Sequence, residues 1–127
     1  MSRTKAIMTF AAVACAAGGL AASFLPEELL RWSGATASGF LPIVVQLYGS
    51  ALLGFAMLDW MAKESTIGGI YNRPIAIANL LHFVSGAFAL LKYATRATPP
   101  LVIGATAAYA LLAVAFALIM FTSPVKH

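Results

Sequence analysis

The chain has 127 residues, of which 61% are hydrophobic and only 9% are charged. A soluble domain carries roughly 25% charged residues, so this composition excludes an ordinary water-soluble fold. The formal charge of +4 does not indicate nucleic-acid binding, because the basic residues are scattered beside apolar segments, as is typical of membrane flanks.

Four long runs of the sequence contain no charged residue, and they cover residues 6–26, 32–58, 74–91 and 97–125. A bilayer core about 30 Å thick needs roughly 20 apolar helical residues to cross it, which each run nearly reaches or exceeds. Pro42, Pro74 and Pro100 favour helix starts, because the first turn does not use the missing N–H. We therefore predict an all-α integral membrane four-helix bundle, a single transmembrane domain over residues 1–127, with helices at about residues 5–24, 42–62, 74–93 and 100–122.

The first span follows a short basic segment, which is also how a secretory signal peptide begins. We interpret it as an uncleaved helix, because cleavage near Cys15 would leave only about half a span. Cys15 is the one cysteine of the chain, which excludes an internal disulfide and a cysteine cluster for a metal. We interpret this side chain as a packing residue.

The segment 26–32 predicts a short helix that lies on the membrane surface between the first two spans. Pro26 suits its first position, and Glu27 and Glu28 suit the positive end of the helix dipole. The glycine- and serine-rich residues 33–39 then predict a flexible return to the second span.

The second span has two different faces. Gln46, Ser50 and Gly54 recur at four-residue intervals, and Ser50 with Gly54 forms a small-xxx-small pair that favours close approach of another helix. Asp59 lies on the opposite side near the end of the span, with Lys63 one turn further on. Because this spacing suits an ion pair at the water interface, we predict that Asp59 pairs with Lys63 or is solvated, rather than carrying a proton inside the bilayer.

The third span carries a stripe of polar and small residues, with Asn79, His82 and Gly86 on one helical face. We predict that this face lies in the bundle interior and that Gly86 lies at a helix contact. His82 has two interpretations, namely an interhelical hydrogen bond and a role in ligand binding or proton transfer. Tyr48 in the second span and Tyr109 in the fourth are further polar side chains inside the spans.

The orientation follows from the lysine and arginine residues near the ends of the spans. With both termini on the cytoplasmic side, five of these residues lie inside and three outside, which favours this N-in, C-in arrangement. The inside set is Arg3, Lys5, Lys63, Arg73 and Lys126, and the outside set is Arg31, Lys92 and Arg96.

The chain contains the segment 46–55, then Asp59 to Ala62, and then Arg73 at the start of a helix that holds Asn79 and His82. Together these residues resemble the small four-helix bacterial membrane proteins grouped as DoxX-like or left uncharacterised. The resemblance implies a compact four-helix fold of unassigned activity in a bacterial inner membrane. It identifies no catalytic residue. Related sequences often have arginine where this chain has Gln46, so a role carried by that charge does not transfer.

No sequence motif indicates a catalytic set, a metal site or a cofactor, so an intramembrane enzyme is the least favoured function. We expect a non-enzymatic membrane protein that works by helix association, as a homo-oligomer or an accessory subunit of a larger complex. Ser50, Gly54 and Gly86 are the predicted packing residues. The alternative is a protein that binds or transports a lipophilic small molecule or a lipid between the second and third spans, near Gln46, Asn79 and His82.

Overall fold

The computed structural model describes residues 3–64, 73–94 and 99–121, and all five elements in these ranges are α-helices. They are α1 (Arg3–Phe24), α2 (Pro26–Trp32), α3 (Leu41–Ala62), α4 (Arg73–Ala94) and α5 (Pro100–Phe121). The predicted all-α fold and the short helix after the first span are confirmed. The observed helix starts lie within two residues of the predicted ones, and the predicted end of the fourth span at residue 122 lies outside the described residues.

Proline lies in the first turn of four helices. Pro26 and Pro100 are the first residues of α2 and α5, while Pro42 and Pro74 are the second residues of α3 and α4. The first backbone N–H groups of a helix have no partner within it, so proline loses no hydrogen bond there, and its φ angle already suits the helix. These prolines therefore set where the helices begin.

The helices form two antiparallel pairs, α1 with α3 and α4 with α5, which make the most extensive contacts in the described residues. Gly49 allows the first pair to approach closely, since a Cβ atom there would lie 2.7 Å from Ser23 Oγ and 2.9 Å from Ala22 Cβ. Gly86 has the same role in the second pair, where an added Cβ would overlap the ring of Tyr109. Gly86 therefore lies at a contact between α4 and α5.

The two pairs meet in an apolar core to which α1, α3, α4 and α5 all contribute. Met8, Phe83 and Phe116 are its largest fully buried hydrophobic side chains. The rings of Phe83 and Phe116 stack, with centroids 5.8 Å apart. Such close contacts supply much of the packing energy between membrane helices, because the lipid already removes the hydrophobic driving force.

Side-chain contacts define the two ends of the bundle. At one end, Lys5 Nζ lies 2.8 Å from Glu64 Oε1, which joins the start of α1 to the end of α3. This neighbouring ammonium holds the pKa of the Glu64 carboxyl below its usual range, because it donates a hydrogen bond and carries the opposite charge. At the other end, Tyr93 Oη donates to the backbone oxygen of Ser33, 2.9 Å away. The start of α1 and the end of α5 therefore lie at the same end of the bundle.

Four of the helices are long and apolar enough to cross a bilayer: Thr4–Phe24, Leu41–Ala62, Pro74–Tyr93 and Pro100–Phe121. Many of their large apolar side chains point outward, including Leu47, Met61, Phe88, Leu111 and Leu118. In water such a surface would be a strong aggregation hazard, whereas lipid chains solvate it. The chain is therefore a multi-pass membrane protein.

Candidate functional site

Asp59 and Asn79 form a polar pair in the apolar interior. Both residues have 0% of their surface exposed. Asn79 Nδ2 donates to Asp59 Oδ1 at 2.7 Å, which joins α3 to α4, and also to the backbone oxygen of Ile75 at 3.0 Å. Asp59 Oδ2 and Asn79 Oδ1 are buried and have no hydrogen-bond partner among the described residues.

The structure corrects the prediction for Asp59, which is neither solvated nor ion-paired with Lys63. Lys63 instead places its ammonium 3.4 Å from the centroid of the Trp60 ring, in a cation–π contact. The reason is the rotation of α3, which turns Asp59 inward toward α4 and leaves Trp60 exposed. Helical spacing permits an Asp59–Lys63 pair, but it does not determine which way α3 faces.

A second polar group links three helices near the middle of the bundle. The hydroxyls of Tyr48 and Tyr109 are hydrogen-bonded to each other, and Tyr109 Oη lies 3.0 Å from His82 Nε2. His82 stacks on Phe55, with centroids 4.8 Å apart, and packs edge-on against Phe83. We call Tyr48, Tyr109 and His82 the phenol–imidazole group. Its contacts show the interhelical hydrogen bond that was one of the two interpretations of His82.

Gln46 lies apart from both polar groups. Its side chain is exposed, and its Nε2 donates to the backbone oxygen of Ser23 at 3.3 Å. Asn79 and His82 do share one face of α4, but they contact different neighbours. The three residues predicted to surround one ligand thus bond three different neighbours, at Ser23, Asp59 and Tyr109.

Ser50 and Gly54, the predicted packing pair, face outward. Both are exposed, and a Cβ atom at Gly54 would meet no described atom within 4 Å. Inside the chain, the close approach of α3 to α1 takes place at Gly49 instead. The predicted contact at Ser50 and Gly54 is thus not made within the described residues, because the helix turns this face away from α1.

A cavity of about 400 Å³ lies between the α1–α3 pair and α5, beneath α2. Its walls are mainly apolar, and small side chains create most of the space. The polar side chains in its lining are Cys15, Ser33, Tyr48 and Tyr109. Two members of the phenol–imidazole group thus lie in the wall, while His82 supports them from outside the lining.

Sequence reasoning identified the polar side chains but missed the cavity. Tyr48 and Tyr109 stood out as polar groups within apolar spans. The first span also has small residues at four-residue intervals, at Ala14, Gly18 and Ala22. All three residues line the cavity, although Ala22 also packs against α3 at Gly49. A small-residue face has the same sequence pattern whether a helix or an open space lies against it.

Three features thus remain as candidate sites: the Asp59–Asn79 pair, the phenol–imidazole group and the cavity. Among the described residues, no group of three or more histidine, cysteine, aspartate or glutamate side chains could hold a metal ion. No protein-family model, curated protein or solved structure matches this chain.

Proposed function

We propose that this chain is a non-enzymatic protein of a bacterial inner membrane that holds a lipophilic small molecule or a lipid chain in the cavity between its helix pairs. The observation that carries the proposal is the cavity of about 400 Å³. Small-molecule sites usually have volumes of about 300–1,000 Å³, with mostly apolar walls and a few placed polar groups. The cavity has each of these properties.

The composition of the wall supports an apolar occupant with one polar end. Small residues leave the space open, and large apolar side chains enclose it. The small residues include Ala14, Gly18, Ala105 and Ala108. The hydroxyls of Tyr48 and Tyr109 provide hydrogen-bonding groups in this wall. A ligand carbonyl or hydroxyl would find its partner there, while its hydrocarbon part would fill the space beneath α2.

The distribution of basic residues supports a cytoplasmic N-terminus. Arg3, Lys5, Lys63 and Arg73 lie at the end of the bundle that holds the start of α1, whereas Arg31 and Lys92 lie toward the other end. An excess of lysine and arginine is typical of the cytoplasmic side. Arg96 and Lys126, which entered the same prediction, lie outside the described residues. The bacterial assignment rests on the resemblance to the DoxX-like membrane proteins.

Filling the cavity tests the proposal. Ala105→Phe places a ring in the space that Ala105 now lines. We expect wild-type protein, purified in a mild detergent, to retain a lipophilic molecule, and Ala105→Phe to lower the retained amount about tenfold. The measurement is solvent extraction followed by quantitative mass spectrometry, with the amount expressed per mole of protein.

Ala107→Phe is the matched control, because Ala107 is exposed on the same helix and is not part of the cavity lining. It adds an equal ring on the lipid-facing side, so the bound amount should match that of the wild type. Equal ligand content in both variants would contradict the proposal, and so would wild-type protein that carries nothing.

Helix association is a second candidate function, which the exposed face at Ser50 and Gly54 favours. A Cβ atom at Gly54 meets no described atom within 4 Å, so the backbone of α3 is open to a neighbour there. Small-xxx-small faces let membrane helices approach closely and associate through backbone and side-chain packing. The occupant that this candidate function requires is α3 of a second copy or a helix of another membrane subunit.

Gly54→Leu tests this association. The substitution fills the open face, so we expect an oligomer seen by native mass spectrometry for the wild type to dissociate to monomer in the variant. Val44→Leu, an apolar exchange at an exposed position of α3 that lies off the Ser50–Gly54 face, should leave the oligomer intact. If the wild-type chain is monomeric and no other subunit copurifies with it, helix association is not its function.

A further inference from the structure

The Asp59–Asn79 pair has one chemical feature that hydrogen bonding between these two residues leaves unexplained. Each residue keeps one oxygen, Asp59 Oδ2 and Asn79 Oδ1, that is fully buried and lacks a partner among the described residues. Buried oxygens normally accept at least one hydrogen bond. Two unpaired acceptors belonging to one contacting pair indicate that a donor is needed between them.

We propose that Asp59 is an intramembrane proton-binding site, in which a proton on Oδ2 is donated to Asn79 Oδ1. Together with the observed bond from Asn79 Nδ2 to Asp59 Oδ1, this proton closes a cyclic acid–amide pair with two hydrogen bonds. One proton thus satisfies both unpaired oxygens. It also neutralises a carboxyl group that would otherwise carry its charge inside the bilayer.

Asn79 is oriented so that its amide fits this arrangement. Both hydrogens of Nδ2 have acceptors, at 2.7 Å on Asp59 and at 3.0 Å on the backbone of Ile75. Exchanging the amide nitrogen and oxygen would put the oxygen against the Ile75 carbonyl, which repels it. The amide oxygen therefore has to accept, and the carboxyl group beside it is the available donor once it is protonated.

Among the side chains that the structure describes, the lysines of α1 and α3 at this end of the bundle contact other groups. On α3, Lys63 lies over Trp60, and on α1, Lys5 pairs with Glu64 at 2.8 Å. The stretch 74–91 of α4 and all of α5 contain no charged residue. The other titratable side chains inside these helices are the buried thiol of Cys15 on α1 and the phenol–imidazole group, whose His82 and Tyr109 bond each other.

The proton site is separate from the cavity, since neither Asp59 nor Asn79 belongs to the cavity lining. It lies about one turn from the end of α3, at the end of the bundle that holds Lys5 and Glu64. Loss of the proton would break one of the two bonds between α3 and α4 and leave a buried charge. Protonation therefore favours the closed contact between the two helix pairs.

Isotope-edited infrared spectroscopy tests the site directly, because Asp59 is the one aspartate of the chain. The wild type is made by cell-free synthesis with aspartate labelled with ¹³C at the side-chain carboxyl carbon, and then reconstituted in vesicles. At pH 7 we expect the label to shift a carboxylic-acid carbonyl band. A label that moves only the two carboxylate bands at pH 7 would overturn the proposal.

Two variants give a second readout on the same labelled band. Asn79→Leu removes both bonds to the acid, so its carbonyl band should move to higher frequency, whereas Gln46→Leu should leave the band where it is. A band unchanged in Asn79→Leu would show that the acid does not bond this amide, and would overturn the acid–amide pair. A carboxylate signal that appears together with sodium-dependent stability would overturn proton binding in favour of a bound cation.

Discussion

Gly49→Leu is expected to destabilise the bundle by about 3 kcal/mol or more, because overpacking at a helix contact forces the backbones apart. A Cβ atom at this position would lie 2.7 Å from Ser23 Oγ and 2.8 Å from the backbone nitrogen of Ser23. The second of these atoms belongs to the backbone of α1, so a change of side-chain rotamer does not relieve the overlap. The whole contact between α1 and α3 has to widen.

Gly104→Leu is the control for that substitution. Gly104 is also a helical glycine, but a Cβ atom there meets no described atom within 4 Å. The free energy of unfolding, measured by titration with a denaturing detergent in mixed micelles, should therefore fall for Gly49→Leu and stay within about 1 kcal/mol of the wild type for Gly104→Leu. Equal losses in the two variants would contradict the close approach of α1 and α3 at Gly49.

Asn79→Leu is expected to cost about 2–3 kcal/mol, because it leaves the buried Asp59 carboxyl without its hydrogen-bond donor. Leucine has the same branching as asparagine and a larger volume, so the loss does not come from a cavity. Replacing both partners, as Asp59→Leu together with Asn79→Leu, removes the unpaired polar group and should recover most of the loss. The measurement is the same unfolding titration, analysed as a double-mutant cycle.

Gln46→Leu serves as the comparison for Asn79→Leu. Gln46 also has an amide that bonds another helix, at 3.3 Å to Ser23, but it is exposed. Its removal should change the free energy of unfolding by less than about 0.5 kcal/mol. If the double variant of Asp59→Leu and Asn79→Leu is as unstable as Asn79→Leu alone, the unpaired buried carboxyl group is not the cause of the lost stability.

The candidate sites lie at different positions along the bundle axis. The Asp59–Asn79 pair joins α3 and α4 near the end that holds Glu64, and the cavity occupies the other part of the bundle beneath α2. The phenol–imidazole group lies between them and contacts the cavity through Tyr48 and Tyr109. A ligand in the cavity would therefore touch the same helices that the acid–amide pair joins, although the two sites share no residue.

The membrane-spanning character and the helix positions were predictable from the sequence, because both depend on local properties. Inside a bilayer the backbone polar groups need partners within the protein, and a helix supplies all of them within one continuous apolar run. Proline then favours the first turn, and Pro26, Pro42, Pro74 and Pro100 each lie there. The short helix of residues 26–32 was predictable for the same reason.

The partner of each polar side chain was decided by the tertiary structure. Helical spacing allowed Asp59 to reach Lys63, but the rotation of α3 turned it to Asn79, which lies twenty positions along the chain. The same rotation put Ser50 and Gly54 outside and left Gly49 at the contact with α1. Spacing within a helix determines which residues share a face, whereas packing against other helices determines where that face points.

The cavity likewise exists only in the assembled bundle. Its lining comes from all five helices. The small residues that line it in α1 and α5 have the same sequence pattern as small residues at a helix contact. Apolar length, helix ends and membrane insertion are thus properties of the sequence by itself, because each is settled within one segment. The buried acid–amide contact and the cavity depend on distances between segments, which only the packed structure determines.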